Sequence, residues 1–156
     1  MLKDEIRVVG IDDSPFKEFK RGQVLVVGTI FRGGKYFDGI LSTKVSIDGS
    51  NATKKIIEMI NKCKFKPQLQ CIFLDGIAVG GFNIIDIREL SSKTELPVIV
   101  IMRKKPDIEK IRKTLIKIGK KNKIKLIEKA GSIFPVGKIY IQLTGISLEK
   151  ADEMLK

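Results

Sequence analysis

The sequence predicts an α/β fold built on one mixed sheet: an antiparallel three-strand meander, then parallel βαβ units, with helices on both faces. Three observations carry this. The chain has 156 residues, which favours a single domain over 1–156 that buries about two-thirds of the surface its unfolded form exposes. Short apolar runs bounded by turn residues alternate with stretches of helical periodicity. Two of those runs, at Ile6–Ile11 and Leu69–Leu74, stop abruptly at an aspartate, Asp12 and Asp75.

Ile6–Ile11 is a buried strand stopped by Asp12-Asp13-Ser14-Pro15. Gln23–Phe31 and Tyr36–Ile47 are two more strands, joined as a hairpin by Arg32-Gly33-Gly34-Lys35. Asp48-Gly49-Ser50-Asn51 opens a helix that places Ala52, Ile56, Met59, Ile60 and Cys63 on one face. Leu69–Leu74 is continuous apolar sequence, as suits the middle of a parallel sheet. Gly80-Gly81-Phe82-Asn83 reads as a loop, followed by a short helix through Leu90. Pro97–Met102 is a further buried strand. Pro106-Asp107 starts a helix with Ile108, Ile111, Leu115 and Ile118 inward and Lys110, Lys113, Lys117 and Lys121 on roughly the opposite face. Ile124–Ile127 and Lys138–Leu143 read as short strands. Ser147 caps a last helix with Leu148, Ala151 and Leu155 inward.

Composition removes whole reaction classes. The chain contains no histidine, so no Ser-His-Asp triad, Cys-His pair or His-ligated zinc is available. Cys63 and Cys71 make no CxxC pair and no disulfide framework; both read as reduced core residues, which points to the cytoplasm. No apolar run approaches the length of a membrane span, and the charged N-terminus lacks the apolar core of a signal peptide.

Net charge is +12. Residues 103–129 concentrate it, with twelve Lys and Arg against Asp107, Glu109 and Glu128. A patch of this kind attracts polyanions, nucleic acid (DNA or RNA) first. A solvated Lys-rich surface of the sort common in proteins from hot habitats has the same composition. Arg103-Lys104-Lys105 follows a strand and suits phosphate contacts, and Lys113 and Lys117 extend the basic face. Each is equally well a solvated basic turn or helix face.

If the strands ending at Asp12 and Asp75 are neighbours, their carboxylates meet at the end of the sheet where open α/β folds place their sites. Two close carboxylates repel unless a cation lies between them. Oxygen ligation without His or Cys favours Mg²⁺ or Mn²⁺, ions suited to phosphoryl transfer. Asp before Gly is also an ordinary turn residue.

Four segments, Val9-Gly-Ile-Asp12-Asp-Ser, Lys35-Tyr-Phe-Asp-Gly-Ile-Leu-Ser42, Ile72-Phe-Leu-Asp75-Gly and Gly145-Ile-Ser-Leu-Glu149, resemble in order the conserved blocks of endonuclease V. The chain resembles more closely an archaeal endonuclease-V-like family, in its Gly-Ile-Asp-Asp, in Asp48-Gly49 and in Leu74-Asp-Gly-Ile followed by Gly-Gly-Phe-Asn83. The resemblance implies a ribonuclease-H-like fold and a metal-dependent nuclease. Asp12 and Asp75 fall on metal-binding aspartates, and Tyr36 falls on the tyrosine of a strand-parting wedge. Tyr36 could stack on a base, although an aromatic in a strand is commonly plain packing. The chain departs from the pattern at Val45, where a glutamate is expected, and near Thr144, where a histidine is expected. The wedge prolines are replaced by Lys35 and Asp38, and Val79-Gly80-Gly81-Phe82 replaces a His-Pro-Arg element.

A third carboxylate would then come from Asp48, Asp13 or Asp38, each equally a turn residue. The leading expectation is a metal-dependent nucleic-acid phosphodiesterase in which a water activated by Mg²⁺ or Mn²⁺ attacks phosphorus. The alternatives are a non-catalytic nucleic-acid-binding protein on the same fold and a small-ligand or protein-binding module.

Overall fold

The computed structural model describes residues 6–15 and 21–155. The charged N-terminal residues 1–5 lie outside them. Nine strands and five helices follow in chain order: β1 (Arg7–Asp13), β2 (Gln23–Arg32), β3 (Tyr36–Ser46), α1 (Ala52–Asn61), β4 (Leu69–Asp75), β5 (Ala78–Val79), β6 (Asn83–Ile84), α2 (Ile87–Thr94), β7 (Val98–Met102), α3 (Ile108–Lys117), α4 (Ile124–Lys129), β8 (Phe134–Val136), β9 (Ile139–Thr144) and α5 (Leu148–Met154).

Seven strands form the main sheet in the order β3-β2-β1-β4-β7-β9-β8, and β5 and β6 pair as a separate short hairpin. The meander is antiparallel, with Asp12 opposite Val27 and Val27 opposite Ser42. β4 then runs parallel to β1, and β7 parallel to β4. β9 turns back antiparallel to β7, and β8 pairs antiparallel to β9.

Side chains alternate across these strands, so each face collects its own core. Val9, Ile11, Ile72, Leu74, Val98 and Val100 pack on one side with Ile56 and Ile60 of α1 and Ile87 and Leu90 of α2. Cys71, Ile99 and Ile141 pack on the other with Ala151 of α5. Helices therefore cover both faces, but α5 reaches only the β4-β7-β9 part of its face. On the meander that same face leaves Leu25, Phe31, Phe37 and Ile40 exposed.

The structure corrects two expectations and adds to two others. Ile124–Ile127 is helix, the first residues of α4, not strand; a four-residue apolar run looks the same as one buried helical turn. β8 is a strand the periodicity did not reveal. Leu148 is exposed, while Ala151 is the buried residue of α5. Gly80-Gly81-Phe82 is the turn of the β5-β6 hairpin, and Asn83 begins β6.

Candidate metal and nucleic-acid site

β1 and β4 are hydrogen-bonded neighbours running the same way, and their last paired row is Ile11 with Leu74. Asp12 and Asp75 are the next residue on each strand. They project from the same face, at strand ends about 4.8 Å apart by ordinary sheet spacing. Ile11 and Leu74 are buried among α1 and α2, so the aspartates lie on the opposite face. Both are open to solvent.

The Asp12 carboxyl is nonetheless pushed up to about 6. The largest cause is the partial shielding of the carboxyl by the chain around it, despite the residue's overall exposure. The charge of Asp75 and the Asp13 carboxyl act in the same direction, while the Asp13 N–H, which donates to Asp12 Oδ1 at 2.8 Å, opposes them. Negative charge at Asp75 thus disfavours negative charge at Asp12, the condition that a shared cation relieves.

The other acidic candidates go elsewhere. Asp13 turns to the far face, where its Oδ2 accepts from Gly80 N–H at 2.7 Å. Asp48 lies beyond the end of β3 in the left-handed region, φ 53°, and its Oδ1 accepts from Phe82 N–H at 2.8 Å. Both serve the β5-β6 hairpin with one oxygen. Asp38 pairs with Arg7 at 2.8 Å and Arg32 at 3.4 Å, at the opposite end of the meander. Among the described residues no group of three or more His, Cys, Asp or Glu side chains could hold an ion by itself. Two carboxylates still fit Mg²⁺ or Mn²⁺, since Mg²⁺ commonly takes one or two carboxylates and completes its shell with water and substrate phosphate.

The two departures from the endonuclease V pattern acquire positions. Val45 is fully buried and faces the α1 core, away from Asp12. On the Asp12 face, the β3 residues are Ser42, in the Asp12 row, and Lys44, opposite Leu25. Thr144 lies opposite Val98, three rows from the Ile101 that pairs with Asp75, roughly 10 Å along the sheet.

Arg103, Lys104 and Lys105 are exposed directly after β7, which is parallel to β4, so they lie at the Asp75 end. Lys110, Lys113, Lys117 and Lys121 are exposed along α3 and the turn after it. Tyr36, 59% exposed, lies at the far end of the same sheet, with the Arg32 guanidinium 5.1 Å from its ring. Tyr36 shares a row with Arg32 and Arg7, on the α1 face, so it lies on the opposite face of the sheet from the carboxylates as well as at the opposite end.

Sequence reasoning missed the residues that brace the β5-β6 hairpin. Lys123, 3% exposed, is the one buried Lys or Arg among the described residues. Its ammonium donates to the carbonyls of Asp48 (3.0 Å), Phe82 (2.6 Å) and Gly49. Burial lowers its pKa, as does the nearby charge of Lys120, with Asp48 opposing. Asn83, fully buried, accepts from Ala52 N–H at the start of α1 and donates to Ser46 O and Asn51 Oδ1. Only the Gly80-Gly-Phe-Asn83 segment hinted at this cluster; nothing separates Lys123 from its neighbours in a Lys-rich stretch.

A cleft of about 850 Å³ lies at the opposite end of the sheet between Leu69, Pro97, Gly145 and Met154. The carboxylate pair lies instead on an open surface.

A mixed sheet with this strand order and helices on both sides shares the fold of endonuclease V. The Ciona intestinalis enzyme, solved with a 24mer DNA containing an inosine followed by a ribo-adenosine, aligns over 99% of this chain and 78% of its own with a TM-score of 0.57 at 17% identity. A family model described as endonuclease dU matches residues 4–156, and the chain belongs to that family. A solved Archaeoglobus fulgidus structure aligns over 96% of this chain and 84% of its own, with a TM-score of 0.89 and 40% identity. UPF0215 proteins of Methanothermobacter thermautotrophicus and Methanosarcina mazei are 47% and 44% identical over 99% of this chain, covering 78% and 81% of their own lengths. No described helix is long and apolar enough to cross a membrane.

Proposed function

We propose that the protein is a metal-dependent endonuclease that cuts DNA at deoxyuridine, with Asp12 and Asp75 holding Mg²⁺ or Mn²⁺. The observation that carries this reading is the pair of exposed carboxylates at the ends of adjacent parallel strands, in a sheet with the endonuclease V fold. The name of the family supplies the lesion. A bound ion would supply charge neutralisation at the phosphate and activation of a water.

The chain's own residues would do the rest. Asp12 and Asp75 fix the ion's place. Arg103, Lys104 and Lys105 hold phosphates at that sheet end, and Lys44 adds a positive charge on the same face. Lys113 and Lys117 hold the more distant backbone, while Tyr36, on the other face and at the other end, is left to pack against Arg32. Asp13 keeps one carboxylate oxygen outside its bond to the hairpin and acts on the Asp12 carboxyl, so it would join the ion through water.

The test is nicking of duplex and single-stranded DNA carrying one deoxyuridine, one inosine or no lesion, with Mg²⁺, Mn²⁺ or EDTA. Cleavage beside deoxyuridine that needs the ion supports the reading. Cleavage that persists in EDTA overturns the metal mechanism. That no group of three acidic side chains forms among the described residues favours a second reading, a nucleic-acid-binding protein without catalysis. Tight binding without cleavage or Mn²⁺ uptake would establish it.

A further inference from the structure

We propose that Lys123 is a positioning residue for the carboxylate pair: its buried ammonium locks the Asp48 turn to the β5-β6 hairpin, and the hairpin fixes Asp13 and through it Asp12. The inference rests on the reading of Asp12 and Asp75 as an ion site.

The hydrogen bonds run without a break from one to the other. Lys123 Nζ donates to the carbonyls of Asp48, Gly49 and Phe82. Phe82 N–H donates to Asp48 Oδ1, and Asp48 N–H donates to Gly80 O at 2.8 Å. Gly80 N–H donates to Asp13 Oδ2, and Asp13 N–H donates to Asp12 Oδ1. Asp12 thus accepts from the backbone of a residue whose own side chain is anchored to the hairpin that Lys123 holds.

Three features make the ammonium more than a filler. A buried charge is costly unless fully partnered, and three carbonyls match the three donors of an ammonium. Gly80 has no slack, because φ is +56° and a Cβ there would lie 2.8 Å from Val24 Cγ1. The lobe that carries Lys123 also has its own small core, where Leu115 and Ile127 pack against Ile84 of the hairpin. That core can be weakened without touching the hydrogen-bond chain.

The experiment is a calorimetric titration of the intact chain with Mn²⁺, for the wild type, Lys123→Met and Ile127→Ala. Lys123→Met keeps the length of the side chain and removes the three bonds; Mn²⁺ affinity is expected to fall about tenfold, the low end of what groups supporting a metal ligand contribute. Ile127→Ala leaves a cavity in the same lobe, so its Tm falls while its Mn²⁺ affinity stays within about twofold of wild type. In Lys123→Ala, millimolar ammonium or K⁺ should restore part of the lost affinity by occupying the carbonyl cage. A folded Lys123→Met with wild-type Mn²⁺ affinity overturns the proposal, and so does an equal loss in Ile127→Ala. If Lys123→Met fails to fold, amide exchange on the wild type decides. Mn²⁺ should slow exchange at Gly80 and Phe82 by roughly fivefold or more, and unchanged exchange overturns the proposal. A wild type that binds no Mn²⁺ overturns the ion site and this inference together.

Discussion

Replacing the Asp75 carboxylate by an amide keeps its size and removes half of the negative charge that would attract a divalent ion. Asp75 is exposed, and its neighbours Leu74 and Ile72 carry the packing of β4. Asp75→Asn should therefore leave the thermal transition unchanged while ion-dependent nicking falls by at least about a hundredfold, beyond the loss caused by a merely supporting group. Nicking and circular dichroism on one preparation check both halves. Cys71 offers a contrast at the same scale. It is fully buried between β4 and the α5 face, and burial pushes its thiol up to about 12. Iodoacetamide at about pH 8 should leave it unmodified until the protein unfolds, as mass spectrometry across a urea series would show. Asp12 and Asp75 were legible in the sequence because an apolar strand that stops at a carboxylate announces where the side chain emerges. Lys123 was not, because its role depends on three carbonyls from two distant segments, which no local pattern encodes.

At the scale of elements, the β5-β6 hairpin depends on Asn83 more than on its two-residue strands. The Asn83 amide caps the start of α1, ties down the end of β3 and meets Asn51, all in the interior. Asn83→Ala leaves those partners without it and should cost about 3 kcal/mol, measured by denaturant unfolding. An unchanged midpoint would show that water replaces the amide freely. The meander, α1, β4 and β7 were legible because each has a strong period and clear turn residues at its ends. The stretch from Gly119 to Val136 was not. Its helices are short and its apolar runs shorter than a strand and a half, so period could not separate one from the other. The setting of Val45 was hidden for a related reason: it faces the core, and strand parity hands the open face to Ser42 and Lys44.

For the whole molecule, charge is distributed in a way that bears on function. The exposed lysines of α3 and the turn after it stand on a lobe packed against the hairpin, beside the sheet end that carries Asp12 and Asp75. Reversing Lys113, Lys117 and Lys121 to Glu should weaken DNA binding and flatten its salt dependence by roughly two to three in log–log slope, if each lysine meets one phosphate. Fluorescence anisotropy across a salt series measures this. An unchanged slope would make the lysines a solvated coat and nothing more. Composition alone located this charge but not its placement, because the parallel order β1-β4-β7 that aligns the strand ends is a tertiary fact.

The pairing of β1 with β4 also governs when the two aspartates can meet. They are separated by about 60 residues of chain, and parallel strands cannot close through a tight turn. The meander pairs through local hairpins, whereas the β1-β4 seam must wait for a long loop to close and for α1 to cross over. Under the proposed function, uptake of Mn²⁺ should therefore return only with the slowest phase of refolding, after most of the β-sheet signal has recovered. In this protein the chemistry would be the last thing the chain learns to do.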